Sequence, residues 1–362
     1  MTSIALSELT VSRDEQRLLG QLDLTIASGE RLVVLGPSGS GKTTLLRAIA
    51  GLETVSSGQI HLGDRDVTAT PPRDRHVALV DQRASLQPHL SVEENLSFAL
   101  RLRHTPREEV QQRVEAETRA FSLRSLLPRR PRTLSAGERH EVAVARSLVR
   151  RASVLLMDEP LARIDPVRRS DVVRELVRMQ EGYDITLVVA TNDQRVAMTL
   201  AHRIAVLDGG VLAQIGPPAE LYAEPATTFV AGFLGSPPMN LLDGIVTRTD
   251  GRATVRAEPF SQTTWDTDVS RRVGEPVVLG VRPEHLQLHP RSQGPNERLR
   301  VVHREFMGAQ VMLHLRAPTG RKLIAMVDPP GPELDRSVWP VVDPHRLHLF
   351  DPLSGRRIAT GI

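Results

Sequence analysis

The chain has 362 residues, 40% of them hydrophobic, and a formal charge of +3, which suits two or three globular domains with ordinary cores. Because it has no cysteine, disulfide scaffolds, thiolate metal sites and thiol catalysis are excluded, and because it lacks a long apolar run or an N-terminal signal pattern, we expect neither a membrane span nor secretion. Charges of both signs are mixed along the chain and only 3% of residues are aromatic, so we expect no nucleic-acid partner.

The first motif along the chain is a glycine-rich loop. Residues 36–43 read G-P-S-G-S-G-K-T, follow the apolar run Leu32–Leu35 and precede a helical pattern from Thr44 to Ala50. In this context the pattern predicts a phosphate-binding loop, whose backbone N–H groups face phosphate oxygens at the start of a helix. We expect Lys42 to reach the β and γ phosphates of ATP and Thr43 to offer its hydroxyl to Mg²⁺. The nucleotide-binding residues predicted here are Gly36, Pro37, Ser38, Gly39, Ser40, Gly41, Lys42, Thr43 and Thr44.

A helical region of about residues 85–150 follows the apolar run Ala78–Val80. Its first helix is predicted from the capping-box pattern Ser91-Val-Glu-Glu94, and Val110, Val114 and Phe121 have the spacing of one buried face. A second pattern of this kind, Leu134-Ser-Ala-Gly-Glu138, precedes a helical run to Val149. We interpret the basic pair that follows, Arg150-Arg151, as part of a solvated face or rim.

Two acids end the next apolar run. Val154–Met157 is followed by Asp158 and Glu159, whereas a buried strand normally ends in a turn residue. In a chain that also has a phosphate loop, this pair predicts that Asp158 positions Mg²⁺ and that Glu159 polarises the water attacking the γ phosphate.

The remaining pattern predicts an α/β domain followed by a β domain. Ile185–Ala190 and Ile204–Leu207 continue the alternation of apolar runs and helical segments typical of a mostly parallel sheet covered on both faces, and Asp208-Gly-Gly210 predicts a hairpin. We place the α/β domain at residues 1–234 and a small all-β domain at residues 235–362. Its clearest predicted strands are Val277–Val281, Val311–Leu315, Leu323–Val327 and Arg346–Phe350.

Together these motifs resemble the ATP-binding cassette (ABC) family, a group of P-loop NTPases with the signature LSGGQ. The phosphate loop, the signature-like residues 134–138 and the two acids follow the family's order and spacing. The resemblance implies that Ser135, Ala136, Gly137 and Glu138 contact ATP bound to a second subunit, so that hydrolysis requires a head-to-tail dimer. It further implies that Gln82 senses Mg²⁺ and a transmembrane partner, and that Asp165 crosses the dimer.

Five further segments are similar to the ATPase subunits of carbohydrate-uptake importers, the maltose and glycerol-phosphate group. The likeness covers nearly the whole chain and implies an OB-like, TOBE-type regulatory domain and a homodimer. It also implies two transmembrane permease subunits, an external solute-binding protein, and a peripheral location at the cytoplasmic face of the cell membrane. The segments are Gln87–Glu93, Ala197–Ala201, Phe229–Phe233, Gly235–Asn240 and Leu279–His285.

Four positions depart from the family pattern. Asn192 stands where a catalytic switch histidine is expected; asparagine can hydrogen-bond a γ phosphate, but it cannot take a positive charge or relay a proton. Ala136 and Glu138 replace a glycine and a glutamine, which places a methyl group and an anion near phosphate. Arg13 stands where an aromatic residue usually stacks on adenine, although a guanidinium can also stack.

The sequence therefore predicts an ATP-hydrolysing, energy-coupling subunit of a bacterial-type ABC importer for a sugar or glycerol-phosphate-like solute, with slow turnover. The alternatives are a degenerate member of an asymmetric pair, a non-hydrolysing ATP-binding regulator, and an importer ATPase for another solute class. A soluble cassette ATPase acting on nucleic acid or ribosomes is disfavoured, because the sequence has neither a second phosphate loop nor a long coiled-coil repeat.

Overall fold

The computed structural model describes residues 2–81, 85–162, 164–249, 252–264, 269–292, 294 and 296–360. The chain divides into two compact units, Met1–Pro218 and Ala219–Ile362. Each unit has its own sheets. In the described part of the chain no helix is both long and apolar enough to cross a bilayer.

The first unit alternates strands and helices. In chain order its elements are β1 (Ile4–Arg13), β2 (Gln16–Ile26), β3 (Arg31–Leu35), α1 (Lys42–Ala50), β4 (Ser57–Leu62), β5 (Arg65–Asp66), β6 (Val77–Val80), α2 (Val92–Leu102), α3 (Arg107–Ala120), α4 (Ala136–Val149), β7 (Val154–Asp158), α5 (Pro166–Tyr183), β8 (Thr186–Thr191), α6 (Gln194–Leu200), β9 (Arg203–Asp208) and β10 (Val211–Gly216).

A six-stranded sheet forms the centre of this unit, with the strand order β10-β9-β3-β8-β7-β6. All neighbours are parallel except the β9–β10 hairpin. Residues 32–35 of β3 are fully buried because β3 lies between β8 and β9 with both faces covered. The predicted parallel sheet and hairpin are thereby confirmed.

A second, antiparallel sheet of four strands, in the order β2-β1-β4-β5, belongs to the same unit. The sequence analysis did not predict it. One hydrophobic core joins it to α1 and the central sheet, with Leu9, Ile49 and Leu156 among its fully buried members. This packing fixes α1, and therefore the phosphate loop before it, against the central sheet.

The helical region is confirmed. The capping box at the start of α2 is formed, since the backbone N–H of Glu94 donates to Ser91 Oγ and the backbone N–H of Ser91 donates to Glu94 Oε2. Val110, Val114 and Phe121 are buried, as their spacing predicted, although Phe121 lies just after α3 rather than within it.

The second unit is mainly β. Its elements are α7 (Pro218–Ala223), which begins at the boundary, α8 (Thr228–Phe233), β11 (Asn240–Thr249), β12 (Arg252–Ala257), β13 (Phe260–Thr264), β14 (Pro276–Val281), β15 (Gln287–His289), β16 (Leu299–Phe306), β17 (Val311–Arg316), β18 (Lys322–Val327), β19 (Ser337–Val341), β20 (Leu347–Phe350) and β21 (Arg357–Thr360).

Two antiparallel sheets share one core in this unit. Their strand orders are β13-β12-β11-β14-β20-β21 and β15-β19-β16-β17-β18. The core includes Val255 and Leu279 from the first sheet and Leu313 from the second, all fully buried. The four strands predicted from the sequence correspond to β14, β17, β18 and β20.

The division between the units lies earlier in the chain than residue 235. Residues 219–234, which include α8, bond within the second unit: the backbone N–H of Thr228 donates to the Gly355 carbonyl, and Arg282 donates to the Leu234 carbonyl. Ala231 also packs against Met239 and Phe350. A domain boundary at 234/235 therefore stays a prediction.

Candidate nucleotide site

The predicted phosphate loop connects β3 to α1 at the carboxyl end of the parallel strands. Two of its positions require glycine. A Cβ atom on Gly36 would lie 2.4 Å from the Leu207 carbonyl oxygen, and Gly41 has φ +99°, a left-handed conformation that L side chains rarely adopt. Among the described residues no side chain caps α1, so its first N–H groups face the loop interior without a side-chain acceptor.

Lys42 is buried within this loop and is 7% exposed. Its Nζ donates to the carbonyl oxygens of Gly36 and Pro37, each at 2.8 Å. Burial lowers the pKa of Lys42, while the nearby Glu159 and Asp158 carboxylates raise it. The Lys42 ammonium group is therefore held by two carbonyl oxygens, and phosphate oxygens can take their place as acceptors.

Thr43 and Asp158 join the loop to the end of β7. The Thr43 hydroxyl donates to Asp158 Oδ2 at 2.8 Å, and Asp158 is 5% exposed. Its Oδ1 is buried and has no hydrogen-bond partner among the described residues. Burial raises the pKa of Asp158, and the neighbouring Asp81 carboxylate raises it further. A carboxylate oxygen without a partner, beside a hydroxyl, has the chemistry that Mg²⁺ prefers.

Glu159 follows Asp158 in a left-handed backbone conformation, with φ +49°. Its backbone N–H donates to the Ala190 carbonyl at 2.8 Å, and its Oε2 accepts from the Thr191 hydroxyl at 3.1 Å. Burial raises the pKa of Glu159, whereas Thr191, Lys42 and the backbone N–H of Asn192 lower it. Asn192 itself is exposed and follows β8 directly, so its backbone is next to this carboxylate.

Ser135 and Glu138 form the capping box of α4. The backbone N–H of Glu138 donates to Ser135 Oγ at 3.2 Å, and the backbone N–H of Ser135 donates to Glu138 Oε2 at 2.7 Å. This bond is the main reason that the pKa of Glu138 is lowered. Ser135 and Ala136 are exposed, and Gly137 and Glu138 are partly exposed. Among the described residues no hydrogen bond joins residues 135–138 to the phosphate loop of the same chain.

The other predicted site residues are separate from this centre. Asp165 is exposed and caps α5, accepting from the backbone N–H of Val167 at 2.9 Å. Arg13 donates from Nη2 to both carboxylate oxygens of Glu53, at 2.8 and 2.7 Å, and its stacking on adenine stays a prediction. Gln82 lies outside the described residues.

The sequence analysis assigned no role to two polar groups of this site. Thr191, the last residue of β8, orients the Glu159 carboxylate. Asp81 follows β6, the parallel neighbour of β7, and accepts from the backbone N–H and the hydroxyl of Ser85 at 3.2 and 3.1 Å. Their positions at the strand ends could have identified them from the sequence, because polar residues at the carboxyl ends of neighbouring parallel strands meet at one edge of the sheet.

A glycine loop between a parallel strand and a helix, bonded to an acid at the end of another strand of the same sheet, defines a P-loop nucleotide-binding protein. Comparison with protein families gives the same class. Residues 19–162 match the ABC transporter family, residues 235–286 the MalK OB fold domain, and residues 279–350 the TOBE domain.

Individual relatives and solved structures are similar to this chain as well. The chain is 40% identical over 97% of its length to the osmoprotective compounds uptake ATP-binding protein GgtA of Synechocystis, covering 98% of that protein. It is 41% identical over 99% of its length to the sn-glycerol-3-phosphate import ATP-binding protein UgpC of Ruegeria pomeroyi, covering 100% of it. The cassette cbiO1 of Clostridium perfringens has 28% identity and a TM-score of 0.57, over 61% of this chain and 90% of that one. A dimeric bacterial ABC transporter cassette has 26% identity and a TM-score of 0.56, over 59% of this chain and 98% of that one.

The chain therefore belongs to the ABC transporter family, and it is an ABC-type ATPase with a C-terminal OB and TOBE region. The predicted family and fold class are confirmed.

Proposed function

We propose that this protein is the energy-coupling ATPase subunit of an ABC importer for a sugar or glycerol-phosphate-like solute. The similarity to GgtA and UgpC, which spans the whole chain, supports an importer and this group of solutes. In this proposal the protein is peripheral, at the cytoplasmic face of the membrane, under two permease subunits that an external binding protein supplies with solute.

The bond between Thr43 and Asp158 is the observation that carries the proposal of hydrolysis. It ties the phosphate loop to the acid at the end of β7 and leaves Asp158 Oδ1 available. Thr43 and Asp158 would hold Mg²⁺, together with Gln82. When bound, Mg²⁺ supplies positive charge that neutralises the phosphate oxygens of ATP.

Lys42 and Glu159 have the two remaining roles. Lys42 exchanges its carbonyl partners for oxygens of the β and γ phosphates, which stabilises the charge that develops during transfer. Glu159 accepts a hydrogen bond from the attacking water, and the Thr191 hydroxyl holds its carboxylate in place. The raised pKa of Glu159 brings this carboxylate closer to the basicity that a general base needs.

A second copy of the chain completes the site in this proposal. Ser135, Ala136, Gly137 and Glu138 begin α4 at an exposed helix N-terminus, which favours an anion such as ATP on the partner copy. Asp165 is exposed and is available to the same interface. The dimeric structure of the similar bacterial cassette supports this arrangement.

A non-hydrolysing regulator is the second candidate. The Glu138 carboxylate favours it, because the anion occupies the Ser135 backbone N–H and repels a bound phosphate. ATP hydrolysis by the purified protein, measured with and without the permeases, separates the two candidates, since a regulator would show no turnover under either condition.

The first prediction concerns Lys42. Lys42→Ala should weaken ATP binding by at least about a hundredfold, because charge-assisted bonds contribute about 1.5–3 kcal/mol each. Binding of a fluorescent ATP analogue measures the loss. The matched control is Lys322→Ala, which removes the chain's other lysine, an exposed residue of β18. Equal affinity in the Lys42→Ala protein and the wild type would refute the site.

The second prediction concerns Glu159. Glu159→Gln should bind ATP normally and stop turnover, because the amide cannot act as a base. The variant should then accumulate as a dimer with ATP and not with ADP, which size-exclusion chromatography with light scattering detects. A variant that stays monomeric with ATP would contradict the head-to-tail dimer, and one that still hydrolyses ATP would contradict the role of Glu159.

A further inference from the structure

An arginine-lined cavity lies at the opposite end of the parallel strands from the phosphate loop. It has a volume of about 230 Å³ and is lined by His76, Arg103, Arg150, Arg151, Ala152 and Ser153. His76 directly precedes β6 and Ser153 directly precedes β7, whereas Asp158 ends β7. Because β6 and β7 are parallel, the cavity and the nucleotide site lie at opposite edges of the sheet.

The cavity gathers positive charge without the acids that would balance it. Its lining contains three arginines and no carboxylate. Among the residues that the structure describes, Arg103, Arg150 and Arg151 form no ion pair. Outside the cavity, Arg151 lies over the Tyr183 ring and near Glu117. The cluster is therefore electrostatically unfavourable as it stands.

Arg150 is the most constrained of these side chains. It is partly buried, and its Nε is buried with no hydrogen-bond partner among the described residues. Burial lowers the pKa of Arg150, and the like charges of Arg103 and Arg146 lower it further; Arg146 is itself near Asp81. A buried donor without a partner costs free energy, and this cost adds to the repulsion between Arg150 and its like-charged neighbours.

Two of the lining residues have an unfavourable backbone conformation. His76 has φ +55° and Arg151 has φ +47°, where residues other than glycine are uncommon. Such positions persist only when their surroundings hold them, and they concentrate at binding sites. These conformations belong to residues whose side chains line the cavity, and Arg151 has the left-handed conformation that commonly ends a helix.

We propose that this cavity binds a soluble phosphate-bearing anion through Arg103, Arg150 and Arg151. Guanidinium groups present paired N–H donors that match phosphate oxygens, and a dianion would offset the mutual repulsion of the three arginines. Arg103 follows α2, and Arg150 follows α4, so occupancy ties the ends of these helices to the starts of β6 and β7.

The test uses pyrophosphate as the probe and the Lys42→Ala full-length protein as the background, so that the phosphate loop does not contribute. Isothermal titration at low salt should detect pyrophosphate binding in this background. Adding Arg150→Gln should weaken the binding at least tenfold. Arg103→Gln should do the same, and because Arg103 is exposed, this variant keeps the test valid if Arg150→Gln does not fold.

Arg107→Gln is the control, since Arg107 is an exposed arginine of the same helical region outside the cavity. It should leave the affinity unchanged. No pyrophosphate binding in the Lys42→Ala background, or binding that both cavity variants retain, would overturn the proposal. A parallel arm uses vesicles that contain phosphatidic acid. Binding to these vesicles without binding of soluble pyrophosphate would assign the arginines to a lipid headgroup and overturn the proposal of a soluble ligand.

Discussion

Asn192 lies next to the carboxylate of Glu159 through its backbone. It follows Thr191, whose hydroxyl holds the Glu159 carboxylate, and its own backbone N–H lowers the pKa of that carboxylate. Its side chain is exposed at the end of β8. The backbone contribution to the site is therefore independent of the residue type at position 192, and only the titratable donor of a histidine is missing.

Asn192→His should raise ATP turnover in the assembled transporter about tenfold, with little change in ATP affinity. The imidazole adds a donor that can carry charge beside the γ phosphate, and positioned groups of this kind contribute roughly 10²–10³ in rate when their fit is optimal. Steady-state phosphate release measures the effect. Asn192→Ala is the control and should not raise turnover. Wild-type turnover equal to that of the histidine variant would show that Asn192 does not limit the rate.

At the scale of elements, a buried acid links α3 to the end of α5. Glu117 of α3 is 2% exposed, and the Tyr183 hydroxyl at the end of α5 is close enough to its carboxylate to lower the pKa of that group. Burial raises the pKa of Glu117 from its ordinary 4.5 to about 7, and Arg151 and Tyr183 only partly oppose this. We therefore expect the stability of the contact between the helical region and the rest of the first unit to depend on pH.

The sign of the pH dependence follows from the raised pKa. Because folded Glu117 binds its proton more tightly than unfolded Glu117, its contribution to stability is complete below pH 4.5 and is lost as the pH rises to about 7. The loss is up to about 3 kcal/mol. Glu117→Gln removes the charge and keeps an acceptor for Tyr183, so it should stabilise the protein by about 1–3 kcal/mol at pH 8 and have little effect at pH 5.

Urea unfolding followed by the helical circular dichroism signal measures this effect. The helices α1 to α6 all belong to the first unit, which also contains Glu117, so this signal follows the unfolding of that unit. Both tryptophans, Trp265 and Trp339, belong to the second unit, so their fluorescence follows the other half of the chain. Glu115→Gln, at an exposed position of α3, is the control. An equal change in stability at pH 5 and pH 8 would show that Glu117 is not the titrating group.

At the scale of the whole molecule, the chain comprises two units with separate cores. Leu9, Ile49 and Leu156 belong to the core of the first, and Leu279 and Leu313 to that of the second. Asp158, Glu159 and the phosphate loop lie in the first unit. Nucleotide binding should therefore need only the first unit.

Two truncations test where that unit ends. A fragment of residues 1–218 should be soluble and should bind ATP. A fragment of residues 1–234 keeps α8 while losing Met239, Phe350 and Arg282, the partners of Ala231 and Leu234, and so exposes apolar surface. It should aggregate more in size-exclusion chromatography. Equal solubility of both fragments would favour the boundary predicted at 234/235, and failure of the 1–218 fragment to bind ATP would contradict its independence.

The sequence by itself determined the parts of this protein that depend on neighbouring residues in the chain. The phosphate loop, the acids after β7, both capping boxes and four strands of the second unit are local patterns, in which spacing alone specifies backbone conformation and chemistry. The antiparallel sheet of β1, β2, β4 and β5 was missed, because its pairing depends on contacts distant in sequence.

Only the tertiary structure decided how distant polar groups meet. Thr191 reaches Glu159 because β7 and β8 are parallel neighbours. The pKa of Glu117 is raised only because the folded chain buries its carboxylate. Arg150 joins Arg103 and His76 around one cavity, although three separate segments supply these residues. Burial and the distances between charges set pKa values and binding, and both quantities exist only after the chain has packed.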